Sequence, residues 1–220
     1  MSGPGEVWFI QPLASFAQNE EFEKLEDKEP LKSAVGMLDA RDGELRSISR
    51  TMWAVYRPDL SYKPEKFNPG KTRFVDVGTM RVRLGRDDDF ANGAKRYFGA
   101  FEKGNVDLCV LGYQVVAGAP AGTYLYFTLM DSMKVLDGDA DRMKAMMEAM
   151  GPENFAQFMK AAGDVFTSIE DTLFEVKPGM SYPTKDMVDA DPGFWKPKPA
   201  MMKPAAAGAV APAAEKKGAQ

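Results

Sequence analysis

Arg81 and Arg83 alternate with Met80, Val82 and Leu84 in residues 72–86 (TRFVDVGTMRVRLGR). A period of two predicts a strand with one apolar face and one cationic face. If the apolar face meets helices, both guanidinium groups turn toward the space on the other side of the sheet. There they would bind an anionic ligand. The ordinary alternative is a strand end in solvent, or pairing with acids. Tyr124, Tyr126 and Thr128 share a face of the next hydrophobic run by the same alternation, and Tyr113 lies on its partner strand. Together they would line a pocket for a flat ligand, although tyrosines on strands more often pack with a wet hydroxyl. Trp8, Trp53 and Tyr56 read as packing residues.

What the chain lacks narrows the chemistry further. It contains no histidine. Ser-His-Asp and Cys-His nucleophilic systems, histidine-ligated zinc or haem, and imidazole acid–base steps are therefore excluded. Asp137, Asp139, Asp141 and Glu148 mimic the spacing of a calcium loop. The sixth position of such a loop requires glycine, and here it is Arg142, so the segment reads as a helix start and no metal is expected. Met143, Met146, Met147 and Met150 fall at helical spacing and are expected as a core stripe. The single cysteine, Cys109, sits in an apolar run and reads as a buried, inert thiol. No cofactor is implied. The net charge of −4 gives no basic footprint for nucleic acid. No apolar run reaches the ~18 residues of a membrane span, and the N-terminal residues do not form a signal peptide.

The elements that must position these residues follow from the pattern. A strand over 72–86 leads to Asp87, Asp88 and Asp89, which suit a helix start. Phe90, Ala94, Tyr97, Phe98 and Phe101 then recur at helical spacing until Gly104. Strands are expected at 106–116 and 123–130, joined by a Gly/Pro turn into a hairpin. Helical sequence follows, broken at Gly151 and Pro152, with an apolar stripe that ends at Phe166. A last strand covers 172–177. The order is β-α-β-β-α-β. The Pro/Ala-rich end predicts an extended, disordered tail over 185–220, with Phe194 and Trp195 held against the body.

Residues 5–16 (GEVWFIQPLASF) align with residues 122–133 (GTYLYFTLMDSM), and Arg57-Pro58-Asp59-Leu60-Ser61-Tyr62 aligns with Lys177-Pro178-Gly179-Met180-Ser181-Tyr182. The matched ends predict an internal repeat: a partial β-α-β unit over 1–70 and a complete unit over 71–184. The partial unit would have strands at 7–13 and 52–57 and would lack the strand that belongs between them. Met1 would then be a late start, or the chain a piece of a longer one. The rival parse makes residues 6–13 a genuine first strand.

Residues 80–85 leading into 90–101, and the hairpin 111–124, resemble the dimeric α+β barrel superfamily, which includes antibiotic-biosynthesis-monooxygenase-like and NIPSNAP-like proteins. Residues 57–62 also resemble a segment of bacterial proteins of this type, many of them exported. The resemblance implies an α+β fold of tandem ferredoxin-like units, the first N-terminally incomplete, with antiparallel sheets in a barrel-like arrangement. It implies a lumen for a small apolar or anionic ligand, lined by Arg81, Arg83, Tyr113, Tyr124 and Tyr126. It further implies homo-oligomers through barrel or sheet edges, and export of a longer form. Haem-degrading members use a histidine that is absent here. The expected function is a small-ligand-binding or interaction module. The alternatives are a cofactor-independent oxygenase using the lumen, and a structural role in a larger assembly.

Overall fold

In the computed structural model, which describes residues 5–196, two helices come first: α1 (Phe16–Glu26) and α2 (Leu31–Gly43). Next are β1 (Trp53–Tyr56) and two single-turn 3-10 helices, Pro58–Leu60 and Pro64–Lys66. The chain continues through β2 (Phe74–Val82), α3 (Asp87–Lys103), β3 (Cys109–Ala117) and β4 (Thr123–Met130). It then forms α4 (Lys134–Asp137), α5 (Asp139–Met150), α6 (Pro152–Val165) and β5 (Phe166–Glu175). A second unit starts at Lys177. It holds a 3-10 turn at Pro178–Met180, α7 (Lys185–Ala190) and α8 (Pro192–Trp195).

The strands form one sheet in the order β1-β3-β4-β2-β5, with every neighbouring pair antiparallel. Strands β2 to β5 with α3, α5 and α6 make the ferredoxin-like βαββαβ unit, and β2 lies between β4 and β5 as that topology requires. The fold is α+β. The sheet is open, with β1 and β5 at its edges, so the barrel-like closure expected from the sequence does not form. The front strand joins the complete unit: β1 pairs with β3, with Ala54 opposite Val115 and Tyr56 opposite Tyr113.

Alternation in β2 sends Met80 and Val82 to the helix-covered face, where Val82 is 2% exposed. Asp87, Asp88 and Asp89 occupy the first turn of α3, where the helix dipole favours carboxylates. Gly151 at φ +79° separates α5 from α6, and Pro152 opens α6. Two expectations need correction. Phe166, read as the last apolar residue of a helix, begins β5, because the ladder with β2 runs from Glu175–Phe74 to Phe166–Val82 and takes it into the sheet. Of the methionine stripe, Met146 is buried and Met150 half-buried, while Met143 and Met147 are exposed. The four span a wider arc than α5 buries.

Residues 7–13, expected as a strand in both parses, run without regular structure. Trp8 still packs there, 5.1 Å from Phe174 between ring centres. Neither α1 nor α2 buries a residue. At the other end, residues 185–190 and 192–195 are helical rather than extended. Thr184 accepts from the Met187 N–H, Asp191 accepts from the Phe194 N–H, and Pro192 sits at a first helical position. Residues 197–220 of the expected tail lie outside the described residues.

The matched hexapeptides adopt the same turn. Ser61 Oγ donates to the Arg57 carbonyl at 2.8 Å, as Ser181 Oγ does to that of Lys177. The flanking dihedrals agree within about 11°. The first copy is docked on β3: Leu60 is 1% exposed, and Tyr62 exchanges backbone hydrogen bonds with Val110 at 2.8 and 2.9 Å. In the second copy Met180 and Tyr182 are exposed. The other matched pair of blocks differs, since residues 123–130 form β4.

Candidate functional site

The five residues expected to line a lumen do not converge. Arg81 stands opposite Thr123 and Ser168 and is exposed. Arg83 is exposed beyond the end of β2, where its N–H donates to the Val165 carbonyl. Tyr113 is half-buried on the sheet face opposite α3, against Tyr56 and Phe127, each 5.4 Å away. Tyr124 and Tyr126 lie on the helix-covered face. The register explains the division: Gly112, not Tyr113, stands opposite Tyr126. Tyr124 is 4.4 Å from Phe90 and donates to Asp87 Oδ1 at 3.0 Å. Its ionisation is pushed up to about 12, first by burial and then by that bond. Tyr126 is 7% exposed. Its hydroxyl is the one buried side-chain polar atom among the described residues that has no hydrogen-bond partner.

Tyr126 lines a cavity of about 650 Å³ between the sheet and helices α3, α5 and α6. The volume suits a small organic ligand, for which pockets of roughly 300–1,000 Å³ are usual. Aromatic and methionine side chains form much of the wall, among them Tyr97, Phe98, Met146 and Phe158. The floor is the helix-facing side of the central strands. One row reads Thr128, Asp76, Leu173 across β4, β2 and β5, and the next reads Tyr126, Gly78, Asp171. Gly78 at the centre of the second row lets the Asp171 carboxylate reach over it. A Cβ placed there would lie 3.1 Å from Asp171 Oδ1 and 3.7 Å from Tyr126 Cβ.

Two carboxyl groups therefore sit on an apolar floor. Asp76 is half-buried and Asp171 is exposed, and neither side chain has a hydrogen bond or ion pair among the described residues. Burial, then the Asp171 charge, then that of Asp139 push Asp76 up to about 6. Burial also raises Asp171. The cations around the cavity are engaged elsewhere. Arg142 pairs with Asp139 and donates to the Val135 carbonyl, Arg86 pairs with Asp89 at 2.8 Å, and Arg96 lies over the Phe158 ring at 6.0 Å. Burial raises Tyr97 and Tyr126 as well. The cavity is thus acidic, apolar and equipped with oxygen acceptors.

The sequence reading passed over Asp76, Gly78 and Asp171. The signal for Asp76 was present, because it falls in phase with Met80 and Val82. A carboxylate on an apolar strand face is a candidate functional group. Asp171 carried no such signal while β5 was expected to start after it.

An unpartnered hydroxyl predicts an unusual substitution pattern. Tyr126→Phe should leave stability unchanged or raise it by about 1 kcal/mol, because it removes a polar atom that folding strips of water without replacement. Tyr124→Phe should lower stability by about 1 kcal/mol through loss of the Asp87 bond. Urea denaturation of both variants checks this. Equal losses in the two would mean that Tyr126 has a partner.

The other candidates take their places plainly. Asp137 ends α4 and Asp139 and Asp141 open α5, so the calcium-like spacing belongs to helices. No group of three or more His, Cys, Asp or Glu side chains among the described residues is arranged to hold a metal. Cys109 is buried, and burial raises its thiol. No described helix is long and apolar enough to cross a membrane.

No family model matches the chain, and no curated protein does. Similar solved structures include a NIPSNAP family protein of unknown function from Agrobacterium tumefaciens, 17% identical, covering 48% of this chain and 89% of that one, with a TM-score of 0.36. A NIPSNAP-like domain protein from Burkholderia xenovorans is 12% identical over 51% of this chain and 91% of that one, with a TM-score of 0.35. A protein from Fusobacterium nucleatum, provisionally assigned as a monooxygenase, is 11% identical over 72% of this chain and 64% of its own length, with a TM-score of 0.42. These are the groups that the sequence resembles. At such scores the likenesses carry no argument about function.

Proposed function

We propose that this chain is a small-ligand-binding module whose ligand sits between the sheet and helices α3, α5 and α6. The observation that supports this reading is the cavity of about 650 Å³ with its apolar walls and its unpartnered Tyr126 hydroxyl. An ordinary core fills such a space with side chains and satisfies its polar atoms. The site lies on the helix side of the sheet, not in a lumen on the other side. The oxygenase alternative drew on Arg81, Tyr113 and Tyr126 sharing one cavity, and their separation leaves it without a specific observation in its favour.

The test uses the neutral apolar fluorophore N-phenyl-1-naphthylamine with the full chain. Saturable fluorescence enhancement at one site per chain is expected, with a dissociation constant on the order of micromolar. Gly78→Leu, which projects into the cavity, should weaken binding at least ~10-fold. Thr79→Leu, on the opposite sheet face, should not. Absence of saturable binding, or equal binding by the two variants, would overturn the proposal.

A further inference from the structure

Asp76 and Asp171 are diagonal neighbours across the β2–β5 ladder, roughly 7 Å apart at their backbones. Both line the cavity, and neither has a protein partner. Tyr126 lines the same cavity, with its Cβ beside Gly78. Asp76 is half-buried and Asp171 exposed at the edge strand, and unpaired carboxyl groups beside apolar walls oppose folding to the extent that they are buried. What satisfies them must bring donors and positive charge. The lining arginines do not, because Arg86, Arg96 and Arg142 are held by Asp89, the Phe158 ring and Asp139.

We propose that the ligand of this cavity is an organic amine, an ammonium group on an apolar body, with the nitrogen seated between the carboxyl groups of Asp76 and Asp171. The inference rests on the cavity being the binding site. A primary ammonium has three N–H donors, and the two carboxyl groups present four oxygen acceptors. Charge-assisted bonds of this kind are the strong ones. The aromatic wall suits the apolar body and favours a cation near ring faces. A divalent metal is the poorer fit, because magnesium or calcium needs six or more oxygens and the floor supplies two carboxyl groups. The anionic ligand expected from Arg81 and Arg83 has no place here, since neither arginine lines the cavity.

Three naphthalene probes of one shape separate these possibilities: 2-(1-naphthyl)ethylamine, 2-(1-naphthyl)ethanol and 1-naphthylacetate. Each is titrated at pH 7.5 against the N-phenyl-1-naphthylamine complex of the full chain. The amine should bind at least ~10-fold more tightly than the alcohol, and the acetate most weakly. In Asp76→Asn/Asp171→Asn the amine should fall to the level of the alcohol, while alcohol binding stays within about twofold. Equal binding of amine and alcohol to the unmutated chain would overturn the inference and leave the cavity as an apolar site. So would stronger binding of the acetate, survival of the amine preference in the double variant, or displacement of the amine by millimolar calcium or magnesium alone. If no naphthalene compound binds, the ligand-binding reading itself fails. The comparison in the unmutated chain needs no variant to fold.

Discussion

Gly112→Val is expected to lower the unfolding free energy by about 3 kcal/mol, the sum of overpacking and a lost docking contact. The position is closed on the side where a side chain would grow. A Cβ there would lie 2.5 Å from the Leu60 carbonyl oxygen and 3.2 Å from Leu60 Cβ. Neither atom can yield cheaply, because residues 57–62 are fixed along β3. The Arg57 N–H donates to the Gly112 carbonyl at 2.8 Å, the Gly112 N–H donates to Ser61 Oγ at 3.0 Å, and Tyr62 bonds Val110 on both sides. Arg57 adds a paired bond to Asp59 and one to Gln114. A valine must push this segment off the strand and expose Leu60 and Tyr62, both of which are buried. Leu60→Ala tests the same contact from the other side and should cost about 2–4 kcal/mol. Urea midpoints for the two variants check the pair. A Gly112→Val chain as stable as the parent would mean that the docked turn contributes little.

This region shows where sequence reading succeeds and where it stops. The shared [RK]-P-x-[LM]-S-Y end was legible, and its local consequence holds: the same 3-10 turn closed by the same serine. Proline at the first turn position and serine at the last act within six residues, so both hexapeptides obey them. The partner of the turn was not legible. That Leu60 presses on Gly112 depends on a contact across 52 residues of chain, and glycine there read only as part of a strand. The front strand failed for the same kind of reason. Val7, Phe9 and Ile10 have high strand propensity, but propensity makes a strand only where a neighbour supplies hydrogen bonds. Among the described residues none pairs with 7–13, whereas β1 finds the edge of β3.

The site was half legible on similar grounds. Alternation correctly grouped Tyr124 with Tyr126, because period two is a property of one strand. It could not say which residue of β3 stands opposite, and a shift of one residue moves Tyr113 to the other face. The start of β5 was hidden by Glu170 and Asp171, poor strand formers that the ladder with β2 overrides. Attention to positive charge on β2 then masked its one negative charge.

Asp76→Asn is expected to raise stability at pH 8 and leave it unchanged at pH 4. The groups facing Asp76 are Asp171 on β5, Thr128 on β4, and Asp139, itself paired with Arg142, on α5. Near-neighbour charges are thus negative or already neutralised, and Tyr97 on α3 brings none at these pH values. The folded carboxyl binds its proton up to about 6, against 3.8 when unfolded. Below 3.8 the group is neutral in both states and its ionisation opposes nothing. As pH rises through the window to about 6, the folded chain holds the proton that the unfolded chain has released, so stability falls with rising pH. The full displacement would be worth about 3 kcal/mol in a sealed site. Solvent reaches this half-buried carboxyl, so a gain of about 1–2 kcal/mol for the variant at pH 8 is expected. Asp171 acts in the same direction, and the double variant should gain further at pH 8. Asp59 and Asp107, held below the usual range by Arg57 and Lys66, act in the opposite direction, but they are common to parent and variant and cancel in the difference. Urea denaturation at pH 4, 6 and 8 measures it. A variant no more stable than the parent at pH 8 would show that the carboxyl is satisfied in the folded chain. Coupled with the amine titration, the substitution gains fold stability while losing amine preference. A carboxylate retained for packing alone would not move those two readouts in opposite directions, whereas one retained to meet a ligand must.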